Sequence, residues 1–264
     1  VVPDSGPLPV HMLGNMWGQS WSNIYDLVYT EELNSNSVDV TKIIEDKGMN
    51  EIEMVEYAED FFISIGFEPL PKTFWERSLF VKPRDRSVVC HASAWNLDPT
   101  TNDLRIKMCI QKNEEDFITI HHELGHIFYY QAYNHLPTLF QGGANDGFHE
   151  AFGDLLTLSI TPDYLNKINF ITVEEANLAK EDPIGLLMKQ ALEGVVVIPW
   201  ALMLDKWRSG VFNGDIKEDQ LNTSWWQLRK EYQGISTSED RSEDYFDPGA
   251  KYHIPGNTPY TRYY

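Results

Sequence analysis

Residues 114–131 restrict the fold of this chain more tightly than any other stretch. Phe117, Ile120, Leu124, Ile127 and Gln131 recur at three- and four-residue intervals, the spacing of one face of an α-helix. Inside that pattern stands His121-His122-Glu123-Leu124-Gly125-His126. His122 and His126 are four residues apart, so on a helix they share a face and can offer two imidazole nitrogens to one Zn²⁺. Glu123 lies beside that face, where a carboxylate can take a proton from an attacking water. Positions 117, 120, 124 and 127 fall on the other side, so one face packs while the other binds. Gly125 costs about 1 kcal/mol relative to Ala in a helix interior, which predicts a close approach to the backbone there. The competing reading is a chance occurrence of this short pattern.

A metal that performs chemistry needs three protein ligands and one open position. Glu150 lies 24 residues beyond His126, past a Gly142-Gly143 turn, in a second helical pattern from near Asp146 to Ile160. Glu150 and Asp154 share a face of that helix. Glu150 is therefore the expected third ligand, and Asp154 the outer carboxylate that holds a ligand imidazole in one tautomer. The alternative is an ordinary amphipathic helix with its acids toward water. His121 and His149 are expected to point elsewhere.

Around this pair the chain reads as mainly helical. Trp17, Trp21, Ile24, Leu27 and Val28 suggest a buried aromatic helix, and residues 50–66 a second one ending at Gly66. Residues 86–97 and 104–110 are β-formers around an Asp98–Asp103 turn, which predicts an antiparallel hairpin. Residues 184–208 form an apolar helical stretch interrupted by Pro199, and residues 234–248 are acidic, Ser-rich and turn-like.

Composition narrows the partners. The 264 residues carry 21 Lys and Arg against 40 Asp and Glu, a formal charge of −19, with no basic stripe to meet a phosphate backbone. Nucleic-acid binding is excluded on that ground. An apolar fraction of 42% and an aromatic fraction of 13% support a packed core rather than disorder. No uninterrupted apolar run of about 20 residues occurs, so no membrane span is expected in this segment. Val1 at the start and Tyr264 at the end read as the cut edges of a longer protein. Cys90 and Cys109 by themselves leave a disulfide and two thiols equally open. Asn222-Thr223-Ser224 is the one glycosylation sequon, and makes a glycoprotein an expectation.

HHELGH followed by GANDGFHEAFGD resembles the gluzincin peptidases of the angiotensin-converting enzyme family. LGNMWGQSWSNIYDL, VVCHASAW, EYQG before DPGAK, and the closing KYHIPGNTPYTRYY resemble it as well, so the similarity runs along essentially the whole chain. It implies a mainly α, zincin-type peptidase domain with a small antiparallel β element. Residues 1–264 would be the central-to-C-terminal part of one such catalytic domain, incomplete at both ends and exposing apolar surface when isolated.

The resemblance also implies roles. His122, His126 and Glu150 match zinc ligands and Glu123 the general base, while Tyr263 and His253 match the groups that stabilise the oxyanion. His91 and Ala92, placed by this reading in the hairpin strand, match positions that hydrogen-bond the substrate backbone. Gln19, Lys251 and Tyr260 match a clamp for the substrate's C-terminal carboxylate. Relatives that release one residue carry Arg in place of Gln19 and lack the lysine. The implied activity is thus release of C-terminal dipeptides from short peptides, with a single-residue carboxypeptidase and a non-catalytic binding homologue as alternatives. Arg262, Trp225 and Arg229 match chloride-binding positions, which leaves chloride dependence open. Cys90 and Cys109 match a disulfide whose spacing is one residue longer here, and the implied setting is extracellular. The oligomeric state is not indicated.

Overall fold

In the computed structural model, residues 6–29, 38–181 and 183–258 are described. The chain divides into two compact units, residues 38–177 and residues 1–37 with 178–264.

The first unit holds α2 (Val40–Lys47), α3 (Glu51–Ser64), α4 (Lys72–Arg77), β2 (Ser93–Asp98), β3 (Asp103–Lys107), α5 (Glu114–Tyr133), α6 (Phe148–Thr157) and α7 (Pro162–Lys167). α8 (Val173–Glu181) carries the chain into the second unit, with α1 (Tyr25–Val28), α9 (Pro183–Gln190), α10 (Val197–Asn213), α11 (Leu221–Gln233), and the short strands β1 (Leu8–Pro9) and β4 (Ile235–Ser236).

Helix α5 is the axis of the first unit. Asn113 caps it, its Oδ1 accepting the Asp116 amide at 2.8 Å, and Glu114, Glu115 and Asp116 set negative charge against the positive end of the helix. Phe117, Ile120, Leu124 and Ile127 are fully buried, as their spacing predicts. α3 packs alongside, with Phe62 stacked on Phe128 at 4.2 Å between ring centroids. Each such buried apolar side chain stabilises the fold by about 1.5–3 kcal/mol. An Asn50 capping box starts α3, which ends at Ser64 with Gly66 beyond it at φ 102°.

The hairpin is shorter than its composition suggests. β2 pairs antiparallel with β3 from Ser93↔Lys107 to Asp98↔Asp103. The turn is held by Asp98, which accepts from the Thr100 amide and from the Thr100 and Thr101 hydroxyls, and Asn102 supplies the left-handed residue. Residues 86–92 lie ahead of the strand, where they find no second strand to pair with among the described residues. Cys90 and Cys109 form a disulfide that closes the base of this region.

In the second unit α10 and α11 pack through Trp200, Trp207 and Trp225, with edge-to-face contacts near 5.6–5.7 Å. The expected interruption of the 184–208 stretch occurs as a π-turn at Ala191–Val195, ahead of Pro199. Pro199 then sits in the first turn of α10, where its missing N–H leaves no intrahelical bond broken. Residues Pro183–Asn213 are long and apolar enough to cross a membrane by length and composition alone, a test that core helices also pass. Trp200, Met203, Leu204 and Trp207 are buried there, whereas Ile184, Leu187, Val195 and Ile198 are exposed.

The buried aromatic helix expected over Trp17–Val28 is reduced to a 3₁₀ turn at Ser22–Ile24 and the four-residue α1, with Leu27 and Val28 exposed. Asn222, the sequon residue, is fully buried. Its Nδ2 donates to the Ser242 carbonyl at 3.0 Å and to Asp247 Oδ2 at 3.2 Å, so the folded chain has no room for a glycan on it.

Candidate metal centre

Two helices build the site because two glycines let them touch. A Cβ on Gly125 of α5 would lie 3.0 Å from the Gly153 Cα of α6, and a Cβ on Gly153 would lie 2.7 Å from His122 Nδ1. The close approach predicted at Gly125 is therefore the α5–α6 crossing. It lets a carboxylate from the first turn of α6 reach imidazoles on α5.

His122 Nε2 lies 3.1 Å from Glu150 Oε2, and His126 Nε2 lies 3.2 Å from Glu150 Oε1. The three ligand atoms fall within 4.8 Å of one another, and the two imidazole planes stand 84° apart. Glu150 is nearly fully buried, and its Oε1 has no hydrogen-bonding partner. A buried carboxylate oxygen left without a partner, facing two nitrogen lone-pair positions, is the donor set of a divalent zinc site. Zinc fits these residues.

The Nδ1 atoms face away from the ligand atoms. His122 Nδ1 meets Asp154 Oδ1 at 3.1 Å, the outer contact expected from the spacing. His126 Nδ1 meets His149 Nδ1 at 3.3 Å. His149 thus does not point elsewhere as its sequence position suggested: α6 begins at Phe148, which turns His149 back against α5. His121 does turn away, its Nδ1 donating to the Phe117 carbonyl at 2.8 Å.

Glu123 is buried with Oε2 unpartnered, and burial pushes its carboxyl up against the pull of His126 and His122. Burial opposes charge on His122, yet its bonds to Asp154 and Glu150 prevail and push it up to about 10 in the metal-free protein. Burial alone would raise Glu150, but the imidazoles of His122 and His126 beside it hold it well below the carboxylate range. Metal binding there must release protons.

A metal held by two histidines of a helical His-Glu-x-x-His segment and a glutamate of the following helix defines the gluzincin class of metal centre. The whole chain, residues 1–264, matches the peptidase family described as angiotensin-converting enzyme. It is 47% identical over 266 residues to the angiotensin-converting enzyme of Bos taurus, covering 100% of this chain and 20% of that protein. With that of Oryctolagus cuniculus it shares 47% over 261 residues, covering 98% and 20%. With that of Theromyzon tessulatum it shares 42% over 267 residues, covering 99% and 42%. This chain belongs to the angiotensin-converting enzyme family of peptidases, and spans less than half the length of these relatives.

The remaining candidates fall elsewhere. His91 and Ala92 precede β2 rather than lying in it, because pairing with β3 begins at Ser93. In the second unit Lys251 Nζ donates to Gln19 Oε1 at 2.7 Å, bringing together two of the clamp residues. The ammonium lies 4.5 Å from the Trp17 ring, and burial pushes it down to about 8. His253 is buried nearby in sequence, its carbonyl accepting from Arg208 Nη2 at 2.7 Å. Trp225 and Arg229 are both buried and line a cavity of about 260 Å³ with Trp226, Arg241 and Asp247. Arg229 donates to Gln233 Oε1 and to the Met16 carbonyl, and burial pushes it down to about 10. Tyr260, Arg262 and Tyr263 lie outside the described residues.

Proposed function

We propose that this chain is the metal-bearing part of a zinc-dependent peptidyl-dipeptidase that removes C-terminal dipeptides from short peptides. The observation that carries the reading is the convergence of His122 Nε2, His126 Nε2 and Glu150 beside the buried Glu123. Zinc held by the first three supplies a Lewis acid for the scissile carbonyl and makes a water more acidic. Glu123 takes the proton of the attacking water and passes it to the leaving amine, and its burial, which raises the carboxyl, makes it a better base. Asp154 keeps the proton of His122 on Nδ1, so that Nε2 offers its lone pair. His253 and Tyr263, by their match to the family pattern, donate to the oxyanion, at ~3 kcal/mol for each such donor.

Dipeptide rather than single-residue release is supported by Gln19 and Lys251, the amide and ammonium that the family pattern assigns to the carboxylate clamp with Tyr260. Chloride is the further ligand proposed for Trp225, Arg229 and Arg262, supported by the buried cationic Arg229 at the cavity. An extracellular setting is supported by the Cys90–Cys109 disulfide.

The test uses the protein with its native flanking sequence, incubated with an N-blocked tripeptide with and without a chelator, and products identified by mass. A chelator-sensitive dipeptide that a Glu123→Gln variant does not release supports the proposal. A single amino acid replaces it with the carboxypeptidase reading. No product despite stoichiometric zinc leaves a binding homologue.

A further inference from the structure

We propose that His149 is a positioning residue: its Nδ1 accepts the Nδ1–H of His126, and Tyr133 behind it accepts the Nε2–H of His149. The inference rests on zinc being the metal of the proposed function.

Proton counting forces the assignment. A neutral imidazole has one N–H, and His126 can give its Nε2 lone pair to a metal only with that proton on Nδ1. The Nδ1–H then needs an acceptor, and His149 Nδ1 stands 3.3 Å away. To accept, His149 must carry its own proton on Nε2, which lies 2.9 Å from Tyr133 Oη. That phenol oxygen accepts it. The order along the row is therefore His126 to His149 to Tyr133, each donating to the next.

The surroundings hold His149 in this one orientation. Its ring lies 4.6 Å from the Tyr129 ring, 4.9 Å from Tyr130 and 5.8 Å from Tyr133, centroid to centroid. On the turn side a Cβ at Gly143 would come within 3.2 Å of His149 Cδ2, so glycine there lets the ring lie against the backbone. The Tyr129 hydroxyl accepts the Ala144 amide at 3.0 Å and ties that turn to α5. The two ligand histidines are thus oriented by different chemistry: His122 by the half-exposed carboxylate of Asp154, His126 by a neutral ring inside an aromatic cage. Outer partners of this kind typically govern metal affinity by 10–100-fold.

The test compares wild type, His149→Phe, His149→Asn and Tyr133→Phe in the protein with its native flanks. Zinc affinity is read by competition with a chromogenic chelator, and geometry by the visible spectrum after cobalt substitution. Phe fills the cage without an acceptor, while the Asn amide oxygen stands near the place of Nδ1. The expected result is zinc weakened about 10–100-fold and an altered cobalt spectrum in His149→Phe. His149→Asn should recover most of the affinity, and Tyr133→Phe should lose only a few-fold. Equal affinity and spectrum in wild type and His149→Phe overturn the inference, as does an Asn variant no better than Phe. If wild type itself binds no zinc, the proposed function fails and takes this inference with it.

Discussion

The two units solve the problem of a buried charge in opposite ways. At the metal centre Glu150 is held between two imidazoles, and its ionised form is favoured despite burial. In the second unit Lys251 has an amide oxygen and the faces of Trp17 and Trp200 within reach, and burial pushes its ammonium down to about 8. Two imidazoles lock the buried Glu150 charge in place, whereas burial brings Lys251 close to losing its proton. The first arrangement suits a permanent metal ligand. The second suits a group whose charge changes near pH 8.

Substitutions can break each half of that contrast. The largest expected effect is at Glu123: Glu123→Gln should lower kcat by about 10²–10⁴-fold while the zinc stoichiometry stays at that of wild type. A loss of metal in that variant would make Glu123 part of the ligand set instead. Gly153→Ala comes next. Its Cβ would stand 2.7 Å from His122 Nδ1, so His122 must move, and zinc affinity should drop about 10–100-fold. Gly142→Ala, whose Cβ meets nothing within 4 Å, is the matched control and should bind zinc like wild type.

The lysine gives a smaller effect with a defined sign. In the proposed clamp, Lys251 is cationic below about pH 8 and attracts a free carboxylate, and loses that charge above it. KM for a peptide with a free C-terminus should therefore rise about tenfold per pH unit above 8, while an amidated peptide shows no such trend. Lys251→Met should raise KM by about tenfold or more and abolish the difference between the two peptides. The smallest expected effect is none: peptide mass spectrometry of the protein expressed with its native flanks in a glycosylating host should find Asn222 without a glycan, since its side-chain amide is spent inside the fold.

The metal centre was legible in the chain because its ligands are local. Four-residue spacing on α5 and a short turn to α6 put His122, His126 and Glu150 within the reach of helix geometry alone, and the penalty of Gly125 marked the crossing. His149 was missed because its direction depends on where α6 begins and on the three tyrosines of α5, which no spacing rule reports. Gly143 and the tyrosines at 129, 130 and 133 were the available signal: a small residue and a run of aromatics at helical spacing facing one histidine. The length of β2 was overestimated for a similar reason. Residues 86–92 have strand composition, but a strand needs a partner, and β3 supplies one only from Ser93 onward.

What the sequence by itself determined is therefore whatever a helix or a turn decides within a few residues: the mainly helical class, the shared face of His122 and His126 on α5, the approach of Glu150 on α6, the Asp98 turn and the family. Tertiary structure alone decided the rest. It brought Lys251 to Gln19 across 232 positions of sequence, buried a sequon that its letters present as a glycan site, and turned His149 onto a ligand rather than away from it. The reason is physical. Backbone periodicity acts over one or two turns, whereas burial and hydrogen-bond partners depend on which distant surfaces meet.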